Sequence, residues 1–215
     1  MLKAIIFDLD GVICSTDEFH YQAWKSLAEK MGIPFDRTVN NRLRGVSRME
    51  SLEIVLSCGG PNSLSKDEKQ MLASEKNETY RRLLQHMSEK DLSVEVSGTL
   101  NRLRQEGYKL AIGSSSKNTP MILEHLGLAN FFDAVADGNC ITRSKPDPEV
   151  FLKAAEMLGV APAEALVVED AVSGAQAGHA GGFTVACVGD ASAAKAGDYN
   201  MKSFAELLRV VNSIA

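Results

Sequence analysis

Hydrophobic and polar positions follow two different patterns along this chain. The opening run Ala4-Ile5-Ile6-Phe7 is short and continuously apolar, which reads as a buried parallel strand. From about Ser15 to Lys90 the apolar positions recur only at helical spacing. A helix is expected through His20, Trp24, Leu27, Ala28 and Met31, capped by Thr16 or Asp17 and stopped by Gly32 and Pro34. The helical period continues from Arg37 to Met87, broken at Arg44-Gly45-Val46-Ser47 and at Gly59-Gly60-Pro61-Asn62, with no strand signal.

From Asp91 onward short apolar runs alternate with amphipathic segments. Strands are expected at Lys109-Gly113, Ala134-Ala136, Ala165-Glu169 and Thr184-Val188. Helices are expected near Gly98-Glu106, Asn118-Leu126, Pro148-Leu158, Val172-Ala180 and Ser203-Ser213. Such alternation means an α/β fold with a parallel sheet covered on both faces, and the first strand belongs to it. The expected organisation is a core domain of residues 1–14 and 91–215, interrupted by an all-helical domain of residues 15–90. Ala191 to Gly197 is rich in small residues and is assigned to no element.

Composition narrows this picture. At 215 residues the chain suits a core with a modest insert better than two full domains. Lysine and arginine number 23 against 28 acids, a net charge of -5, which argues against nucleic acid or an anionic membrane as partner. An anionic substrate must then be met by locally placed cations. Cys14, Cys58, Cys140 and Cys187 lie far apart with no C-x-x-C pair, so neither a zinc site nor a redox motif is indicated. No apolar run approaches the roughly 20 residues of a spanning helix, and Met1-Leu2-Lys3 leads into a strand instead of a signal peptide, so a cytoplasmic location is expected.

Four stretches carry candidate chemistry, all expected at the carboxyl edge of the sheet, where open α/β sheets bind ligands. Asp8-Leu9-Asp10-Gly11 places two acids at the tip of the first strand. Near a divalent cation one can serve as nucleophile and metal ligand while the other shuttles a proton. Taken alone, the stretch is equally a plain turn or a calcium-loop fragment. Gly113-Ser114-Ser115-Ser116-Lys117-Asn118 gathers hydroxyls, N–H groups and a lysine where an anion would bind, or is simply a Ser-rich helix cap. Lys145, between Ser144 and Pro146-Asp147-Pro148, can neutralise a nucleophile and phosphoryl oxygens, or be a solvated loop lysine. Glu169-Asp170 closes an apolar strand with two acids, an oxygen-only set that suits magnesium, with helix capping by Asp170 as the alternative.

In their order, Asp8/Asp10, Ser114, Lys145 and Glu169/Asp170 resemble the four-motif pattern of the haloacid dehalogenase-like superfamily, and the resemblance covers the whole chain. It implies a Rossmann-like three-layer core with a small helical cap domain inserted after the first strand. It also implies Asp8 as nucleophile, Asp10 as general acid/base, and Ser114 and Lys145 on the transferring phosphoryl group. One magnesium ion would be held by Asp8, Asp170, the backbone carbonyl of Asp10, and Glu169. The chain departs from the pattern at Asp91 to Gly98, where Val96-Ser97-Gly98 replaces a Pro-Gly turn.

Within the superfamily, a further set of residues is similar to members that move a phosphoryl group between two positions of a sugar: His20, Trp24, Gly45-Val46-Ser47-Arg48, Ser51, Lys76-Asn77 and Ser114 to Asn118. The implied reaction interconverts β-D-glucose 1-phosphate and glucose 6-phosphate through an aspartyl-phosphate and β-glucose 1,6-bisphosphate. Arg48, aided by Ser116, Lys117 and Asn118, would grip the phosphate that is not being transferred, a task suited to a planar guanidinium. His20 and Lys76 would couple cap closure to Asp10, and Trp24, Gly45, Val46, Ser51 and Ser115 complete the substrate-binding set. Read without the resemblance, Trp24 is equally a packing residue, Lys76 a solvated cation and His20 a satisfied surface histidine.

A mutase of this kind needs a lid that excludes water, with hinges at Cys14-Asp17 and near Lys90. A sugar-phosphate phosphatase on the same core is the alternative activity. A non-catalytic anion- or magnesium-binding module is the third reading, disfavoured because binding alone needs no nucleophile. The expected partner is a small sugar phosphate, with the protein working as a monomer.

Overall fold

A computed structural model describes residues 1–44, 46–61 and 63–214. In chain order, β1 (Ala4–Phe7) leads to four helices, α1 (Asp17–Lys30), α2 (Arg37–Asn41), α3 (Arg48–Leu56) and α4 (Lys66–Leu84). There follow α5 (Val94–Gln105), β2 (Lys109–Gly113), α6 (Thr119–His125), β3 (Ala134–Ala136), α7 (Glu149–Leu158), β4 (Ala165–Glu169) and α8 (Val172–Ala180). The chain ends in β5 (Thr184–Cys187), α9 (Gly189–Ala193), β6 (Tyr199–Asn200) and α10 (Leu207–Ile214). These elements form two compact units, Met1–Ser15 with Ser88–Ala215, and Thr16–Met87.

The first unit is built on a parallel sheet of order β3-β2-β1-β4-β5-β6, with helices along it: the α/β fold expected from the alternation. β1 pairs with β2 on one side and β4 on the other, Phe7 lying opposite both Ile112 and Val168. This register brings Asp8 level with Gly113 and Glu169, so three of the four chemical stretches leave the sheet side by side. All four residues of β1 and all five of β4 are buried, as continuous apolar runs in a doubly covered sheet must be. One core cluster joins Ile6 and Val167 of the sheet to Phe151, Ala154 and Leu158 of α7 and to Phe183. α8 rides close to the sheet because Gly178 carries no side chain; a Cβ there would meet Val185 at 2.7 Å.

The second unit is all helical. Trp24, Leu27 and Ala28 of α1 pack with Leu52, Val55 and Leu56 of α3 and with Ala73 of α4. Ser47 and Ser65 close capping boxes with Glu50 and Glu68, which fix the starts of α3 and α4. Thr16 precedes α1 without a side-chain cap bond. Asp17 instead accepts hydrogen bonds from Arg44 and Asn40.

Several expected boundaries move. α5 begins at Val94 instead of Gly98 because Ser93 caps it, its side chain accepting from Val96 N at 3.1 Å. The residues that replace the Pro-Gly turn therefore lie inside a helix. β5 ends at Cys187, one residue early. The stretch around Ala191 holds α9 and is followed by β6, which at two residues is too short to show an alternation. Among the described residues no helix is long and apolar enough to cross a membrane.

Candidate active site

The site in the first unit is assembled at the tips of β1 and β4. Asp8 leaves β1 buried, and Gly11 turns the chain with φ +87. That glycine is required twice over. Its positive φ suits no other residue well, and a Cβ would stand 2.0 Å from Asp170 Oδ2. The loop before α7 supplies Lys145, whose Nζ lies 2.5 Å from Asp8 Oδ1, 2.6 Å from Glu169 Oε1 and 4.5 Å from the centre of the Phe151 ring. This loop is tied down by Glu149, which accepts from Thr142 N, Thr142 Oγ1 and Arg143 N at 3.1, 2.9 and 2.8 Å. Asp147 braces it further, accepting from Glu149 N at 3.0 Å and pairing with Arg143 at 3.1 Å.

Glu169 is 1% exposed and fully engaged. Its Oε1 takes Lys145, and its Oε2 accepts from Asp170 N and Ala171 N at 2.8 and 2.9 Å. The turn into α8 is thus held by Glu169, while Ala171 stands at the N-cap position with no side-chain cap bond. Gly174 makes room for it, since a Cβ there would lie 1.8 Å from Oε1.

One buried ammonium faces a surplus of carboxylates. Burial works against the charge on Lys145, but Asp8 and Glu169 outweigh it and hold the lysine well above its ordinary value. Asp8 is pushed up by burial, against the pull of Lys145 and with help from Glu169, Asp170 and Asp10. Asp170 is pushed up to about 7 by burial and by Glu169. Such a cluster lacks positive charge. Ligand oxygens of Asp8, Glu169 and Asp170 lie within 4.8 Å of one another, an oxygen-only set that fits a hard divalent cation. Because Glu169 is already engaged through both oxygens, Asp8 and Asp170 are the better placed of the three to offer one.

Next to this cluster runs the loop after β2. Ser114 N donates to Ala136 O at 3.0 Å, Ser116 N to Ser114 Oγ at 3.1 Å and Asn118 N to Ser116 Oγ at 3.2 Å. Ser114 and Asn118 are buried, while Lys117 is exposed. Ser115 Oγ is buried with no hydrogen-bond partner among the described residues. The loop leads directly into α6, with Asn118 at its N-cap position.

In the helical unit, His20, Trp24 and Lys76 form one cluster. Lys76 Nζ lies 2.8 Å from His20 Nδ1, with the Trp24 and Tyr80 ring centres at 4.8 and 4.7 Å. Tyr80 stacks on His20 with centroids 4.1 Å apart. Burial, then Lys76 and Arg48, hold the imidazole well below its ordinary value, so the ring is neutral. With Nδ1 accepting from Lys76, its proton sits on Nε2. Arg48 is half-buried and lowered by that burial, partly offset by Tyr80 and Glu78. Ser51 follows one turn later on α3 and is buried, and Val46 is half-buried. Gly45 lies outside the described residues.

Trp24 lies in the core of this unit. At 2% exposure it packs among Leu27, Leu52 and Ala73, and its polar duty is to face Lys76. Sequence reasoning missed Tyr80 and Glu149. Tyr80 follows Lys76 by four residues, the same helical interval that links His20 to Trp24, and this was the available signal. Glu149 opens α7 directly after Pro148, where an acid is common for dipole reasons alone, so its loop-tying role left no distinct mark.

The chain belongs to the haloacid dehalogenase-like hydrolase family, whose model matches residues 5–188. Among individual relatives, it is 43% identical over 189 residues to the β-phosphoglucomutase of Bacillus subtilis, covering 87% of this chain and 84% of that one. It is 32% identical over 179 residues to the fructose-1-phosphate phosphatase YqaB of Escherichia coli, covering 83% and 92%. A crystal structure of β-phosphoglucomutase from Clostridium difficile superposes with a TM-score of 0.93 at 36% identity, covering 100% of this chain and 97% of that one.

Proposed function

We propose that this protein is a β-phosphoglucomutase, interconverting β-D-glucose 1-phosphate and glucose 6-phosphate. The observation that carries the reading is Asp8, buried at the tip of β1 in the grip of Lys145, in a chain so closely related to enzymes of that name. In the forward direction, phosphorylated Asp8 gives its phosphoryl group to the 6-hydroxyl of β-glucose 1-phosphate while Asp10 removes the hydroxyl proton. β-Glucose 1,6-bisphosphate forms and reorients. Asp8 then attacks the 1-phosphate, the bond from phosphorus to the sugar oxygen breaks, and Asp10 returns the proton to that oxygen, releasing glucose 6-phosphate.

Magnesium, held by Asp8, Asp170 and the Asp10 carbonyl, would supply charge neutralisation on the phosphoryl oxygens. Lys145 shares that task and orients the nucleophile, with Ser114 on the same group. Ser116, Lys117 and Asn118 are assigned to the substrate's other phosphate, and Arg48 is a second candidate ligand for phosphate in the helical unit. His20 and Lys76, with Ser51, Val46, Gly45 and Ser115, belong to substrate recognition in this reading. The protein works as a monomer in the cytoplasm on small sugar phosphates.

The second reading, a sugar-phosphate phosphatase, is favoured by the relation to YqaB. A coupled assay for glucose 6-phosphate, with inorganic phosphate followed in parallel, separates the two. Sugar conversion outpacing phosphate release supports the mutase, and the reverse overturns it.

A further inference from the structure

Between β3 and the Lys145 loop, Asp137 to Cys140 form a tight turn to which none of the roles above is assigned. Its donors are directed at the neighbouring loop. Gly138 N donates to Ser116 O at 3.1 Å, and Asn139 Nδ2 donates to Lys117 O at 3.1 Å, so two successive carbonyls of that loop are held from one side. The turn is itself rigid. Asn139 N donates to Asp137 Oδ1 at 2.8 Å, Asn139 Nδ2 to Asp137 Oδ2 at 2.9 Å, and Asp137 N to Cys140 Sγ at 3.2 Å. With both Lys117 O and the Asp137 carboxylate facing it, the Asn139 amide is oriented with its NH2 group inward.

Gly138 brings the two backbones into direct contact. A Cβ there would stand 2.4 Å from Ser115 O and 3.0 Å from Lys117 N, so only glycine allows the approach. Because each peptide unit is planar, fixing the Ser116 and Lys117 carbonyls fixes the planes from which the Lys117 and Asn118 side chains depart.

We infer that Asn139, seated by Gly138, is a positioning residue for phosphate recognition by Ser116, Lys117 and Asn118. It touches no substrate and acts through the loop. The inference rests on the reading of that loop as a phosphate site. Asn139 is exposed, so its replacement leaves the core packing intact.

The test compares Asn139→Ala and Asn139→Asp with the wild-type protein, measuring kcat, KM for β-glucose 1-phosphate and melting temperature. The aspartate keeps the shape but loses the donor and faces Asp137. Both variants are expected to raise KM by about 2- to 10-fold, the effect of one lost hydrogen bond, with a smaller change in kcat. Gly138→Ala is expected to raise it further. Unchanged KM in both Asn139 variants overturns the inference, as does a fall in kcat and melting temperature together at constant KM, which marks a merely structural turn. Failure of the underlying reading shows instead in the wild-type protein, as absent turnover of sugar phosphates, and overturns both.

Discussion

Lys145 Nζ and Asp8 Oδ1 stand 2.5 Å apart, both residues buried, although 137 positions separate them in sequence. The same ammonium also serves Glu169, so Lys145→Met strands two buried carboxylates at once. Breaking such a pair from one side costs roughly 3–5 kcal/mol. The variant should therefore unfold at a markedly lower urea concentration, and its turnover should fall at least about 100-fold, as expected for lost electrostatic stabilisation of a transferring group. An unshifted urea midpoint would contradict the account.

Asp8→Asn tests the opposite sign. Burial and the three neighbouring acids work against a charge at this position more than Lys145 supports it. Replacing the carboxylate by an amide of the same shape removes the nucleophile and also relieves the crowding. No glucose 6-phosphate should form, while the melting temperature should stay level or rise. Retained turnover would remove Asp8 from the mechanism.

Gly11→Ala should act on metal affinity. The new methyl group would occupy the place of Asp170 Oδ2, and the φ of +87 strains any residue but glycine. Displacing one of two carboxylate ligands should raise the magnesium concentration for half-maximal activity by about 10-fold or more, in line with the sensitivity of ligand orientation. Chelation should silence the wild-type enzyme and added magnesium restore it. A normal magnesium titration of Gly11→Ala would argue that Asp170 is not a ligand.

His20 predicts a pH dependence of stability. Its folded value lies well below the ordinary 6.5 because of burial, Lys76 and Arg48. Above pH 6.5 the ring is neutral in both states and its contribution is complete. Below that pH the unfolded chain binds a proton that the folded chain refuses, so stability falls as pH drops from 6.5 toward the folded value. On going from pH 7.5 to 5.5 the wild-type protein should therefore lose more melting temperature than His20→Gln. Parallel losses would mean that His20 takes up its proton freely in the folded state.

The strands of the core were legible because each is a short apolar run bounded by polar or small residues, and the acids at their tips betray themselves by following such runs. Lys145 was legible through the two prolines that follow it, Pro146 and Pro148, and its place in the motif order. What could not be read was anything set by distant partners. The two oxygens of Glu169 are divided between a lysine 24 positions back and the next two backbone N–H groups, a division that leaves no trace in spacing. Trp24 posed the same difficulty from the other direction: an aromatic on an amphipathic helix looks alike whether it faces a ligand or a neighbouring lysine. Gly98 suggests a helix start for α5, whereas the Ser93 cap five residues earlier sets the helix and the glycine is tolerated inside it.

The central place of β1 has a bearing on how the molecule is made. The strand is made well before its hydrogen-bonding neighbours, which begin only at Lys109 and Ala165. Until those partners are made its nucleophile sits on an unpaired, strongly apolar ribbon, and productive docking must await a ring closure of more than a hundred residues. Slowing elongation just after the codons for β4 should aid yield, and a chaperone that shields β1 until its partner strands are made should matter more here than one acting later.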